Sequence, residues 1–170
     1  MTYLVLYLNE SRGVPLSFAL ICLALLQFGG VIGRAGWGFV SDQFFNQQRG
    51  IVLALIGLIS GILMITLIII PNNFQLIFVA TLSLFLGITT QGWNGIFVLM
   101  ISEVVKREQI GLASGIGLAV VYLGAIFGTP LSGWLIDITG QFEIMWIICG
   151  CIIFLTGLLT IILKLDTKTV

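Results

Sequence analysis

The feature that most constrains this chain is where its charges are missing. No Asp, Glu, Lys or Arg lies between Arg12 and Arg34, Arg49 and Glu103, Glu108 and Asp137, or Glu143 and Lys164. A helix needs roughly 20 apolar residues to cross the hydrocarbon of a bilayer, so each gap admits one span and the longest admits two. Composition agrees. Of 170 residues, 59% are hydrophobic and 8% charged, where a soluble domain carries about 25% charged. The expected fold is all-α and transmembrane, with the lipid bilayer as its surroundings. The net charge of +0 has no basic patch behind it, so nucleic acid is not an expected partner. With no His and no Cys/His cluster, neither a metal site nor a cofactor is expected. Cys22, Cys149 and Cys151 fall within apolar spans and read as small apolar side chains.

The pattern predicts five full spans, near residues 15–42, 50–70, 74–102, 110–136 and 143–163. Pro15 suits the start of the first. Pro71-Asn72-Asn73 predicts a tight turn between the second and third, and Thr139-Gly140 lies in a short loop after the fourth. Residues 1–9 are apolar, but nine helical residues cover only about 14 Å, less than half the hydrocarbon. They read as a partial span. With alternating loops, Arg34, Arg49, Lys106, Arg107, Lys164 and Lys168 gather on one side and Arg12 on the other. The positive-inside rule then places the C-terminus in the cytoplasm of a multi-pass protein of the cell membrane.

The spans differ in kind. The second and fifth are apolar nearly all round and suited to lipid. In the third, Ser83, Gly87, Thr90, Gln91 and Asn94 fall within about 100° of arc and must face protein or water. In the first, Gly29, Gly33 and Gly36 form a smooth strip for close helix contact, with Gln27, Arg34, Gly38 and Ser41 roughly opposite. In the fourth, Gly117, Gly124 and Gly128 form the strip, and Pro130 is expected to kink the helix. The first and fourth spans also share a skeleton. Gly29, Gly33, Gly38 and Asp42 are matched, 95 residues on, by Gly124, Gly128, Gly133 and Asp137. Such an internal repeat, with units near 1–70 and 74–163, points toward transporters.

These motifs resemble the C-terminal six-helix half of a major facilitator superfamily transporter. Gly38-x-x-x-Asp42, followed by polar residues and Arg49, resembles the family's loop motif between helices eight and nine. Gln43 departs from it, since that place usually holds a basic residue. Gly124-x-x-x-Gly128-Thr-Pro130-x-x-Gly133 and Asp137-x-x-Gly140 resemble helix eleven and the turn after it. The resemblance implies a bundle running from a partial helix seven to helix twelve, built from two inverted three-helix units. It also implies an N-terminal six-helix half as partner, so that the chain is a fragment or a short product.

The implied function is secondary transport of a small solute, with a small organic anion as the leading substrate class. Drug-type efflux and a transport-inactive membrane fragment are the alternatives. An enzyme is not expected, because no nucleophile–base pair or metal motif is present. Gln27, Arg34, Gln91, Asn94 and Tyr122 are the candidate substrate-binding residues. Arg34 reads either as an anion site, its fork matching a carboxylate, or as a snorkelling residue. Gln91 and Asn94 either bind substrate or join helices, and Trp93 reads as packing. Gly38, Asp42 and Arg49 are the candidate gate, Asp42 reading either as part of a lock or as a solvated loop residue. Gly29, Gly33, Gly124, Gly128, Pro130 and Gly133 are the candidate packing residues.

Overall fold

A computed structural model describes residues 2–71 and 75–163. Asn72 and Asn73 of the expected turn, Phe74 at the expected start of the third span, and Lys164 and Lys168 of the orientation argument lie outside the described residues. Those described are helical and loop, with no strand among them. The elements are α1 (Leu4–Leu6), continued by a π-helical turn (Tyr7–Ser11), then α2 (Leu16–Phe44), α3 (Arg49–Ile69), α4 (Leu76–Thr90), α5 (Trp93–Val104), α6 (Ile110–Thr139) and α7 (Phe142–Ile162). A 3-10 turn, Arg107–Gln109, leads into α6. Five stretches are long and apolar enough to cross a membrane, and α4 with α5 makes up one of them.

Local sequence accounts for the helix ends. Pro15 caps α2, where its fixed φ and missing N–H cost nothing, and its carbonyl accepts from Phe18 and Ala19. Gly140 closes α6 at φ +65°, a left-handed position that favours glycine, and donates to the Ile136 carbonyl at 2.8 Å. The helix runs unbroken through Pro130. The third span, expected as one helix, is instead interrupted at Gln91–Gly92.

Two helix pairs form the body of the bundle, and glycine makes both. Between lipid-soaked helices there is little hydrophobic drive, so close backbone approach and dispersion must hold them. In the first pair α2 lies against α4 and α5. A Cβ on Gly29 or Gly33 would run into the carbonyls of Leu84 or Ile88, and one on Gly87 into the carbonyl of Leu26. In the second pair α3 lies against α7. A Cβ on Gly57 would come 3.1 Å from the Gly157 Cα, and one on Gly157 would come 2.8 Å from the Ala54 carbonyl. The second and fifth spans, expected to face lipid, thus spend one face on each other.

The glycine strips also differ in detail from expectation. On α2 the buried strip is Gly29, Gly30 and Gly33, while a Cβ at Gly36 would meet nothing within 4 Å. Gly38 and Ser41, expected opposite the strip, are buried, and Gly38 sits against Leu99. On α6 two glycines are tightly packed, Gly117 against Phe97 and Gly133 against the Tyr3 hydroxyl. A Cβ at Gly124 or Gly128 would meet nothing within 4 Å. The physical reason is that α6 is held only at its edges, by α5, α7 and the Tyr3 hydroxyl, and none of its residues is fully buried.

At one end of the bundle the N-terminal stub is docked firmly. Leu4, Tyr7 and Leu8 are buried, and the Tyr7 ring stacks at a tilt with Trp146 (5.8 Å) and Phe142 (6.3 Å). Arg12 donates to the carbonyls of Leu67 (3.0 Å), Ile68 and Ile70 (2.6 Å), and to the Tyr7 hydroxyl (2.7 Å). A cation on the last carbonyls of α3 also complements its helix dipole.

Candidate functional site

Two groups of polar residues stand out, one along the seam between α2 and α4 and one at the end of the bundle opposite Arg12. At the seam, the Gln91 side-chain amide donates to the Gln27 carbonyl at 3.1 Å. The contact depends on Gly30. A Cβ there would lie 2.6 Å from the Cβ of Gln91, so only glycine lets the two helices close enough for the amides to meet. Gln27 is exposed and Gln91 half-buried. Arg34 follows Gln27 by seven residues, which puts it about 20° round the helix and about 10.5 Å along it. Its side chain is exposed, and among the described residues no ion pair reaches it.

The helix break sits beside this pair. Trp37 of α2 donates its indole N–H to the Ile88 carbonyl at 2.8 Å. Gly33 and Gly92 approach closely at the same level. Asn94, half-buried, turns its amide back to the Gln91 carbonyl at 3.4 Å. The expected polar stripe therefore divides. Ser83 and Gly87 are buried in the contact with α2, while Gln91 reaches the open seam. Tyr122 is exposed on α6, which makes its contacts with α5 and α7. A cavity of about 360 Å³ lies elsewhere, lined by Met64, Thr90, Ser132, Met145, Trp146 and Cys149 among others, and none of the candidate substrate-binding side chains borders it.

At the opposite end, Arg49 is almost fully buried and joined to two carboxylates. Its Nη1 lies 2.7 Å from Asp42, its Nη2 lies 2.9 Å from Glu103, and its Nε donates to Glu103 at 3.0 Å. The Asp42 contact is an ion pair rather than an aligned hydrogen bond. All three charges sit at the unfavourable end of their helix. Arg49 opens α3, where the dipole disfavours a cation; Asp42 and Glu103 stand in the last turns of α2 and α5, where it disfavours anions. Bringing them together offsets all three penalties. The turn that returns the chain from α2 to α3 holds Asn46 at φ 47° and Gln47 at φ 64°, left-handed values, with the Gln47 N–H on the Ser41 carbonyl at 3.0 Å.

The structure thus joins Gln27 with Gln91, and Asp42 with Arg49. It leaves Arg34 and Tyr122 exposed without bringing them into contact with the pair. Sequence reading missed Glu103, Gly30 and Trp37. Glu103 carried a signal, as the first charge after the longest apolar gap. Gly30 and Trp37 carried none, because only the geometry of the facing helix gives them a task.

The fold and its spans define a multi-pass α-helical membrane protein. A family model described as Major Facilitator Superfamily matches residues 1–170, and the chain belongs to that family. Among curated proteins it is similar to a hexuronate transporter of Bacillus subtilis (strain 168), 24% identical over 88% of this chain and 37% of that protein. It is also similar to the membrane sensor protein UhpC of Escherichia coli (strain K12), 32% identical over 76% of this chain and 28% of that one. Monocarboxylate transporter 9 of Pongo abelii is 27% identical over 88% of this chain and 28% of its own length. The chain therefore spans 28% to 37% of these relatives. It is a transporter-family protein and not an enzyme.

Proposed function

We propose that the chain is the C-terminal six-helix half of a secondary transporter that moves a small organic anion by alternating access, with an N-terminal half as partner. The observation that carries this reading is Arg34, exposed on the same flank of α2 as Gln27 and about 12 Å inward of Asp42 along the helix. A guanidinium at that depth is costly unless it is paired or wet, and its planar fork suits a carboxylate. Two of the relatives are named for acids, hexuronate and monocarboxylate. The seam would form one wall of the substrate path, with Asn94 at the helix break and Tyr122 on α6 bordering it.

The Asp42–Arg49–Glu103 cluster supplies a latch. It ties the ends of α2 and α5 to the start of α3, so a change of access at that end requires the ion pairs to part. The positive-inside rule puts this end, and the C-terminus, in the cytoplasm of the cell membrane.

The test is uptake of labelled carboxylates into vesicles carrying the full-length protein. Arg34→Lys keeps the charge and loses the fork, and is expected to lower uptake of the acid by about tenfold, one charge-assisted hydrogen bond, while leaving any neutral solute unaffected. Unchanged acid uptake in a variant that still reaches the membrane would refute the anion site.

A further inference from the structure

Resting on the carboxylate reading above, we infer that the α2–α4 seam selects a polyhydroxylated carboxylate, with Arg34 on the carboxylate and the free edges of the Gln27–Gln91 pair on hydroxyls. The amide pair is the ground for this. Its one internal bond occupies one N–H of Gln91 and one lone pair of Gln27. Both side-chain N–H groups of Gln27, the second side-chain N–H of Gln91 and the Gln91 side-chain carbonyl are left over. Donors and acceptors thus stand side by side, and Gln27 is on the exposed side of α2. A hydroxyl is the ligand group that both gives and takes a hydrogen bond, so a run of hydroxyls satisfies such an edge where a hydrocarbon chain leaves it unpaired.

The spacing fixes the order of groups along the ligand. Gln27 and Arg34 stand about 10.5 Å apart on one flank of α2. That suits an acid whose hydroxyls extend along the carbon chain away from the carboxylate, rather than one whose hydroxyl adjoins it. The charge pattern removes the competitor. No Asp or Glu occurs from Gly13 through Ser41, in α3, or from Gln75 through Ser102. The acid that ends this last stretch, Glu103, is bound to Arg49. No carboxylate of these helices therefore neutralises Arg34, which leaves its fork available to an anionic ligand. Around them the exposed face of α2 is apolar at Leu20, Phe28, Val31, Ile32 and Phe39, so Gln27 and Arg34 are the polar groups that this stretch of the face offers a ligand.

The experiment measures binding to the full-length protein in lipid nanodiscs with three probes: glucuronate, hexanoate and glucose. The expected order is glucuronate tighter than hexanoate by about tenfold or more, because a site built around hydroxyls leaves polar groups unpaired when they are missing. Glucose, which lacks the charge, is expected to bind weakest. Gln27→Leu should bring glucuronate down to the level of hexanoate. Equal binding of the two acids by the wild-type protein overturns the inference and leaves the carboxylate reading standing, and this comparison needs no variant. A glucuronate preference that survives Gln27→Leu also overturns it. If neither acid binds, the carboxylate reading falls and this inference with it.

Discussion

The latch at Arg49 makes a prediction about stability whose sign is not obvious. The Arg49 side chain is 5% exposed, against 48% for Asp42 and 33% for Glu103. The two acids keep partial access to water, and the cation does not. Asp42→Asn or Glu103→Gln alone leaves Arg49 one carboxylate, and each is expected to cost about 1–2 kcal/mol, a charge-assisted bond discounted for exposure. The double variant strands a buried guanidinium at a helix start where the dipole also opposes it, and is expected to cost about 3–5 kcal/mol. Adding Arg49→Met to the double variant removes the uncompensated charge and keeps most of the buried volume. Replacing a whole buried ion cluster by apolar groups is often near neutral, so the triple variant should recover at least about 2 kcal/mol over the double. Reversible unfolding by SDS titration in mixed micelles, followed by tryptophan fluorescence, reads the difference. A triple variant no more stable than the double would show that Arg49 is held by water or lipid headgroups rather than by its two acids, and the latch would lose its physical basis.

Two further outcomes follow from packing and charge. Gly87→Ala drives a Cβ into the Leu26 carbonyl and should cost about 1–3 kcal/mol in the same unfolding assay, whereas Gly124→Ala meets open space and should be neutral or stabilising by up to about 1 kcal/mol; equal losses would mean that α6 is packed as tightly as α4. With Cys22, Cys149 and Cys151 replaced by alanine, a cysteine at Gln47 should label with an impermeant maleimide from the cytoplasmic side and one at Gln141 from outside; the reverse pattern would overturn the orientation.

What the sequence by itself determined was the set of properties that depend on one helix at a time. Charge-free length decides that a segment crosses a bilayer, because hydrocarbon tolerates neither ions nor unpaired backbone. The span limits, the cap at Pro15 and the glycine at Gly140 were therefore legible. Tertiary structure decided which faces meet. Glycines are spread around α2, and only the position of α4 selects Gly30 over Gly36 as a contact. Glu103 is one more charge at a span end until α5 delivers it to Arg49. The break at Gln91–Gly92 was hidden for the same reason. A polar stripe at helical spacing reads as a continuous helix by periodicity, and what interrupts it comes from α2: the close approach of Gly33 and the Trp37 bond to the Ile88 carbonyl. Periodicity is a property of one helix in isolation, whereas a seam is a property of two, and its chemistry exists only once both backbones have come within reach of each other.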